Sequence, residues 1–251
     1  MIVILTLISQ LALADSLYAH GYFEEARTEY LRAFFFYPEL RQRADARLHY
    51  ALSLLEKDSA EGMTELYVLV DEFPELPDSM LVEIARQFIR GGRYYLAIDL
   101  LGKTGEKKLL GLAYLLDGQL SNAQATFVAD GEGEIADQIE QYVESPEKSE
   151  RTATLLSLFL PGAGEIYSGN PSLGFRDFLF NFGSGYLLYN AFKQQKYVDA
   201  TLVFLFLTNR FYLGSIYNAQ KSANEYNEEK RRKWLAHLAA TQFADTMTKT
   251  R

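Results

Sequence analysis

The sequence predicts an all-α protein in two parts: stacked antiparallel helical hairpins, followed by a hydrophobic helical hairpin. Three observations carry that expectation. A glycine, an aromatic or leucine, an alanine and a bulky residue recur at one spacing between residues 21 and 127. Three apolar segments crowd residues 152–217. Charge divides the same way: residues 1–150 hold 13 Lys+Arg against 26 Asp+Glu, whereas residues 151–251 hold 12 against 7. An acidic half joined to a basic, aromatic half points to two modules in different surroundings.

The totals set bounds. Apolar residues make up 48% of the 251, enough for a real core. There is no cysteine, which excludes disulfides, thiolate metal sites, cysteine nucleophiles and a lipid-modified cysteine anchor. The acidic half would repel phosphates, so nucleic acid is not an expected partner.

Residues 1–14 are apolar from Ile2 to Ala14 and end in Ala12-Leu13-Ala14 before Asp15. That resembles a short secretory signal peptide, although no Lys or Arg precedes Arg27. The alternative is a first buried helix of the domain that follows.

Residues 15–148 read as a helical repeat. In GYFEEARTEYLRAFFFYP, Gly21, Phe23, Ala26, Tyr30, Ala33 and Pro38 fall at offsets 0, 2, 5, 9, 12 and 17. Glycine permits a tight turn between helices. Ala26 lets the paired helix approach, Tyr30 fills the groove one turn on, and Pro38 stops the unit. The first four offsets return as Gly92, Tyr94, Ala97 and Leu101, and as Gly118, Leu120, Ala123 and Phe127. A degraded copy has Gly62, Leu66 and Pro74. The pattern resembles the second helix of a tetratricopeptide repeat. That resemblance implies stacked units whose curved surface binds a protein partner. Phe34, Phe35, Phe36 and Tyr37 cannot all face one core; the expectations are that some line a groove or meet a neighbouring unit, or that they pack under the next helix. Residues 135–143 fit one more helix, and Ser145–Ser149 reads as a linker.

Residues 149–227 hold the apolar segments: Thr152–Leu160, Leu173–Phe192 and Tyr197–Tyr217. The last two approach the roughly 20 residues needed to cross a bilayer core. Arg176, Asp177, Asn181, Asp199, Asn209 and Arg210 interrupt them, and such groups need an interface or a partner. Arg210 is expected to pair with Asp177 or with carbonyls of the PGAG turn, and Gly183 and Gly185 to mark close helix contact.

The run LPGAGEIYSG supplies Pro161, Gly162, Gly164, Tyr167 and Gly169, and FYLGSIYNA supplies Phe211, Tyr212, Gly214, Ile216, Tyr217 and Ala219. Over about residues 153–227, these resemble a family of small bacterial membrane modules with a P-G-x-G-x-x-Y-x-G turn. Position 165 is Glu where that family more often has Gln, and Ser215 stands where Asn is frequent. The resemblance implies a membrane hairpin and no reaction. Tyr167 would anchor the turn at the membrane interface.

Residues 228–251 form a basic tail, with Lys230, Arg231, Arg232 and Lys233 ahead of Trp234, Leu235, Leu238 and Phe243. This fits an amphipathic interfacial helix.

No catalytic motif is present. His20, His49 and His237 lack metal-ligand spacing, and neither a nucleophile elbow nor a phosphate loop occurs. No cofactor, metal or small-molecule substrate is expected. The sequence therefore predicts a non-catalytic, membrane-anchored adaptor of the bacterial envelope, with its repeat domain periplasmic and its partners a protein and membrane lipid. The rival expectation makes the membrane module the working part and the repeats a spacer.

Overall fold

The computed structural model describes residues 2–56 and 59–243, with side chains from Leu11 onward. Every regular element among them is helical. The chain divides into two compact units, residues 1–140 and 141–251, eight residues earlier than the expected boundary.

The first unit contains α1 (Ile2–Ala19), α2 (Phe23–Phe36), a 3₁₀ turn at Pro38–Gln42, α3 (Ala44–Leu55), α4 (Ser59–Glu72), α5 (Asp78–Arg90), α6 (Tyr94–Leu101), α7 (Lys107–Asp117) and α8 (Leu120–Asp130). Most of α9 (Gly133–Glu144) completes it. Neighbours in sequence are neighbours in space: α1 packs on α2, α2 on α3, α3 on α4, and α5 on α6, α6 on α7, α7 on α8.

One turn builds three of these pairs, α1–α2, α5–α6 and α7–α8. Gly21, Gly92 and Gly118 have positive φ, at +79°, +69° and +86°. The next residue's N–H then reaches back five positions: Tyr22 to the Leu17 carbonyl, Arg93 to Phe88 and Gln119 to Tyr114. This satisfies carbonyls that a helix end leaves unpaired, and glycine enters that conformation without a Cβ penalty. The new helix starts one residue later, and the fifth residue after the glycine packs inward. Ala26, Ala97 and Ala123 are fully buried, as are Tyr30, Leu101 and Phe127 four residues beyond. Gly62 occupies the small position of the degraded copy, where a Cβ would lie 2.7 Å from the Leu55 backbone nitrogen.

Leu11 and Ala14 are buried with Ala26, Tyr30, Ala33, Phe34, Leu40 and Ala46. The Tyr30 hydroxyl donates to Asp15 at 2.5 Å, and His49 Nδ1 lies 3.0 Å from the same carboxylate. Leu11 and Ala14 are thus part of this core, and cleavage after Ala14 would remove both. Of the four aromatics at 34–37, Phe34 is buried and Tyr37 packs against the same cluster, while Phe35 and Phe36 are exposed. Buried Arg47 ties α3 to α4 through Glu65 (2.7 Å) and Glu72.

The second unit contains the end of α9, α10 (Glu150–Phe159), α11 (Ala163–Tyr167), α12 (Pro171–Lys193), α13 (Tyr197–Val203), a π-helical turn at Phe204–Thr208, and α14 (Asn209–Gln242). From Tyr197 to Gln242 the chain is one rod, interrupted only by the wider π turn. Two expectations change here. Ser145–Ser149 is pinned to α14 rather than free. Asn227 makes a pair of 2.9 Å bonds with the Lys148 backbone, and Lys230 Nζ donates to the Ser145 and Pro146 carbonyls. The basic segment is not a separate tail but the continuation of α14. Trp234 stacks on Tyr142 at 4.1 Å, and Leu238 and Phe243 are buried. Its apolar face is therefore covered by protein and is not a free interfacial face. Residues 244–251 lie outside the described part of the chain.

Candidate functional site

The motif turn begins with a collision that only glycine avoids. A Cβ on Gly162 would lie 2.1 Å from the Gly174 carbonyl oxygen, and one on Gly174 would lie 2.4 Å from that of Gly162. At Gly164 a Cβ would meet the Ala153 carbonyl at 2.1 Å and the Ala219 methyl at 2.6 Å. The turn after Pro161 is thus wedged between α10, α12 and α14 with backbone on backbone. Tyr167 packs against Ala153, Ala219 and Ala223, and its hydroxyl accepts from the Ser149 N–H at 3.3 Å. Half-buried, it ties the start of α10 to α14.

This close approach buries a polar cluster. Glu165 has no exposed surface. Its carboxyl accepts from Ser157 Oγ at 2.7 Å and from Ser215 Oγ at 3.3 Å. The same hydroxyls accept from the N–H groups of Gly164 and Gly162, each at 3.0 Å. Each serine therefore passes a hydrogen bond from the strained turn to one carboxyl oxygen. Burial pushes the Glu165 carboxyl above its ordinary range, and nearby Asp177 pushes the same way. Above this cluster, Asn218 donates to Asp177 at 2.7 Å, and Arg176 Nε lies 3.4 Å from its other oxygen. Asn181 donates to the Asp177 and Phe211 carbonyls at 2.8 and 3.2 Å, tying α12 to α14.

The outside of this unit is the reverse. Phe175, Phe178, Leu179, Phe180, Phe182, Tyr186, Leu187, Tyr189 and Phe192 on α12 are all exposed, Phe182 at 68%. Across the hairpin, Val198, Leu202, Phe204, Leu205, Phe206, Leu213 and Tyr217 are exposed as well. Leu155, Leu156, Leu158, Phe159 and Leu160 add to the same character on α10. Asp177, Asn181 and Ser184 share one face of α12, at i, i+4 and i+7. Asp177 and Ser184 are buried there. The segment thus keeps its polar residues inside and its aromatics outside.

An open cleft of about 540 Å³ leads into this interior. Arg176, Asp177, Asn181, Arg210 and Asn218 line it, with Phe180 and Phe211 stacked 5.0 Å apart at its wall. The structure does not pair Arg210 with Asp177 or with the PGAG carbonyls. Asp177 is occupied by Asn218 and Arg176, and Gly162 and Gly164 point their N–H groups at serines. The Arg210 side chain makes no hydrogen bond or ion pair with a described residue. Gly183 and Gly185 are corrected too: a Cβ on either would meet nothing within 4 Å, so they mark no close helix contact. Gly214 is equally open and borders the cleft. Tyr212 donates to the Leu158 carbonyl at 2.7 Å, closing the end of α10. Ile216 is half-buried and Tyr217 faces outward.

The first unit offers two adjoining clefts of about 360 and 410 Å³ beside α4, sharing Tyr67, Phe88 and Leu96. The first is lined by Phe73 and Pro74 of the bend between α4 and α5, and the second by Ala60, Met63 and Thr64 at the start of α4. His20 bonds the Ser16 carbonyl at 2.7 Å, and His49 stacks on Tyr18. Among the described residues no group of His, Asp and Glu is placed to hold a metal.

Sequence reasoning noted Glu165 and Ser215 only as departures from the motif and missed Ser157 and Asn218. For Ser215 and Asn218 a signal was available in the spacing: with Ser222 they fall at i, i+3 and i+7, one face of a helix. No protein-family model, no curated protein and no solved structure matches the chain.

Proposed function

We propose that the protein is a membrane-anchored helical-repeat adaptor of the bacterial envelope, its first unit a tetratricopeptide-like partner-binding domain and its second a bilayer-seated hairpin. The inverted second unit carries this reading. A contiguous exposed apolar surface of this extent is out of place against water and marks an interaction face. A bilayer accepts such a face while leaving the bonded polar interior intact.

No described helix is long and apolar enough to cross a membrane. The hydropathy of α12 is lowered by exposed Arg176 near its start and, beyond that, by Asp177, Asn181 and Ser184, which do not face outward, so a mean over both faces understates the outer one after Arg176. The exposed band also has charged limits. Lys193 and Lys196 stand at the hairpin tip and Arg176 lies 17 positions before Lys193. At 1.5 Å per residue that separation is about 25 Å. The hydrocarbon core of a bilayer is about 30 Å thick.

The first unit supports the adaptor half through its clefts beside α4 and its exposed Phe35 and Phe36. A periplasmic location for it belongs to the same proposal. The unfilled cleft of the second unit favours a second reading, in which the hairpin is the working part and the repeats a spacer. Alkaline carbonate washing of membranes from cells expressing the tagged chain tests the anchor. Retention in the pellet is expected, and full release into the wash defeats the membrane reading. Deleting residues 15–140 then separates the two roles, since activity that survives the deletion defeats the adaptor.

A further inference from the structure

We propose that the cleft between α12 and α14 is a binding site for the headgroup of an anionic phospholipid, held by Arg176 and Arg210. This rests on the membrane reading of the second unit. The argument begins with Arg210, which stands among the exposed apolar residues Leu205, Phe206, Leu213 and Tyr217. An arginine in such a setting requires a counter-ion once lipid covers its surroundings, because hydrocarbon cannot solvate a bare charge. The chain does not supply one. Asp177 already takes bonds from Asn218 and Arg176, and Glu165 is enclosed by Ser157 and Ser215 with no surface.

Two guanidinium groups therefore face one cleft against a single engaged carboxylate. Guanidinium is planar and presents paired N–H donors that match phosphate oxygens. The volume of about 540 Å³ has room for a phosphodiester and a small polar alcohol. The amide nitrogens of Asn181 and Asn218 are engaged within the protein, which leaves their amide oxygens at the wall as acceptors for that alcohol. The cleft opens onto the aromatic band, where Phe180 and Phe211 lead from the arginines toward the exposed faces of α12 and α14. A headgroup seated there would lay its acyl chains against those faces. A free phosphate would use the arginines but not the aromatic wall.

The test is flotation of the full-length protein with two kinds of vesicle. One is phosphatidylcholine alone, and in the other part of it is replaced by phosphatidylglycerol. The wild type is expected to favour the anionic vesicles by about tenfold or more. The double variant R176Q/R210Q is expected to lose most of that preference while floating with phosphatidylcholine as before and melting like the wild type. The control R232Q/K233Q removes the same net charge from an exposed stretch of α14 and is expected to keep it. The proposal is overturned if the double variant keeps the preference, or if the control loses as much. It is also overturned if millimolar inorganic phosphate abolishes the preference without displacing the protein from phosphatidylcholine, since the site would then take a free anion. A wild type that floats with neither vesicle has a different meaning: the membrane reading itself has failed.

Discussion

A carboxyl group enclosed by protein loses more on ionising than it does in water, and Glu165 shows the consequence. Its hydroxyl partners offset part of the loss, but burial and the neighbouring Asp177 still hold its affinity for a proton above the usual value. The sign follows from linkage. Below the ordinary glutamate value of 4.5 the group is protonated in folded and unfolded chains alike, and contributes no pH dependence. As pH rises past 4.5, the unfolded chain releases its proton first, so the fold loses stability until the raised value is passed, after which the deficit is constant. Glu165→Gln keeps the shape and an acceptor for Ser157 while removing the titration. The variant is expected to melt increasingly above the wild type as pH rises from 4.5, with the two coinciding below it. Thermal melting of the full chain in detergent across pH 4–8 checks this, and parallel curves would remove Glu165 from the stability argument. Gly164 gives the companion test. Its Cβ position lies 2.1 Å from backbone, which cannot yield as a side chain can. Gly164→Val is expected to cost more than about 3 kcal/mol by overpacking the crossing of α10 and α14, read as loss of the cooperative melt.

At the scale of elements, one turn is used throughout the chain. Beyond Gly21, Gly92 and Gly118 it recurs at Gly131, Gly169 and Gln195, with φ of +83°, +87° and +60°. Glu132, Asn170 and Lys196 make the same bond five residues back, to Phe127, Glu165 and Ala191. The fifth residue on is again small and buried: Ala136, Gly174 and Ala200. The three earlier copies were legible because glycine, aromatic or leucine, and alanine coincide there. The later three were not, because Gly133 and Glu140 replace the bulky positions after Gly131, Gly174 replaces the alanine, and Gln195 replaces the glycine. The backbone requirement is common to all, while the side-chain signature drifts. A paired prediction follows from the dihedrals. Gly131 has open space where a Cβ would go, so Gly131→Ala isolates the conformational cost and is expected to destabilise by about 1 kcal/mol. Gln195 is the sole non-glycine at positive φ among the described residues, and Gln195→Gly is expected to gain up to about 1 kcal/mol. Denaturant melts of both variants measure the difference, and effects of equal sign would show that contacts rather than dihedrals govern the turn.

Across the whole molecule, two solutions to burial coexist in one chain. The first unit places leucine, alanine and aromatic rings inside, in the way water demands. The second places serines, Asp177 and Glu165 inside and rings outside, so its stability against water rests on bonded polar groups and small-residue contact. Sequence patterning revealed the apolar segments but read their polar residues as interruptions, because periodicity shows which residues share a face and not which face is turned inward. The inverted arrangement makes a definite demand on the surroundings. Phe182 and Phe206 are 68% and 66% exposed, and Leu179 and Leu202 are exposed beside them in sequence. Covering each such side chain contributes about 2 kcal/mol. Replacing all four with serine is therefore expected to weaken bilayer partitioning by more than a hundredfold, measured by vesicle flotation of the full chain. Helicity by circular dichroism is expected to stay at the wild-type level, since none of the four bonds the polar interior. The wild type without detergent is expected to run as large assemblies on size exclusion, and the fourfold variant as a discrete species. A fourfold variant that floats as well as the wild type would show that the outer face of the hairpin is not what meets the membrane. One that loses its helicity would show that these rings support the fold from within, and that the second unit is not inverted after all.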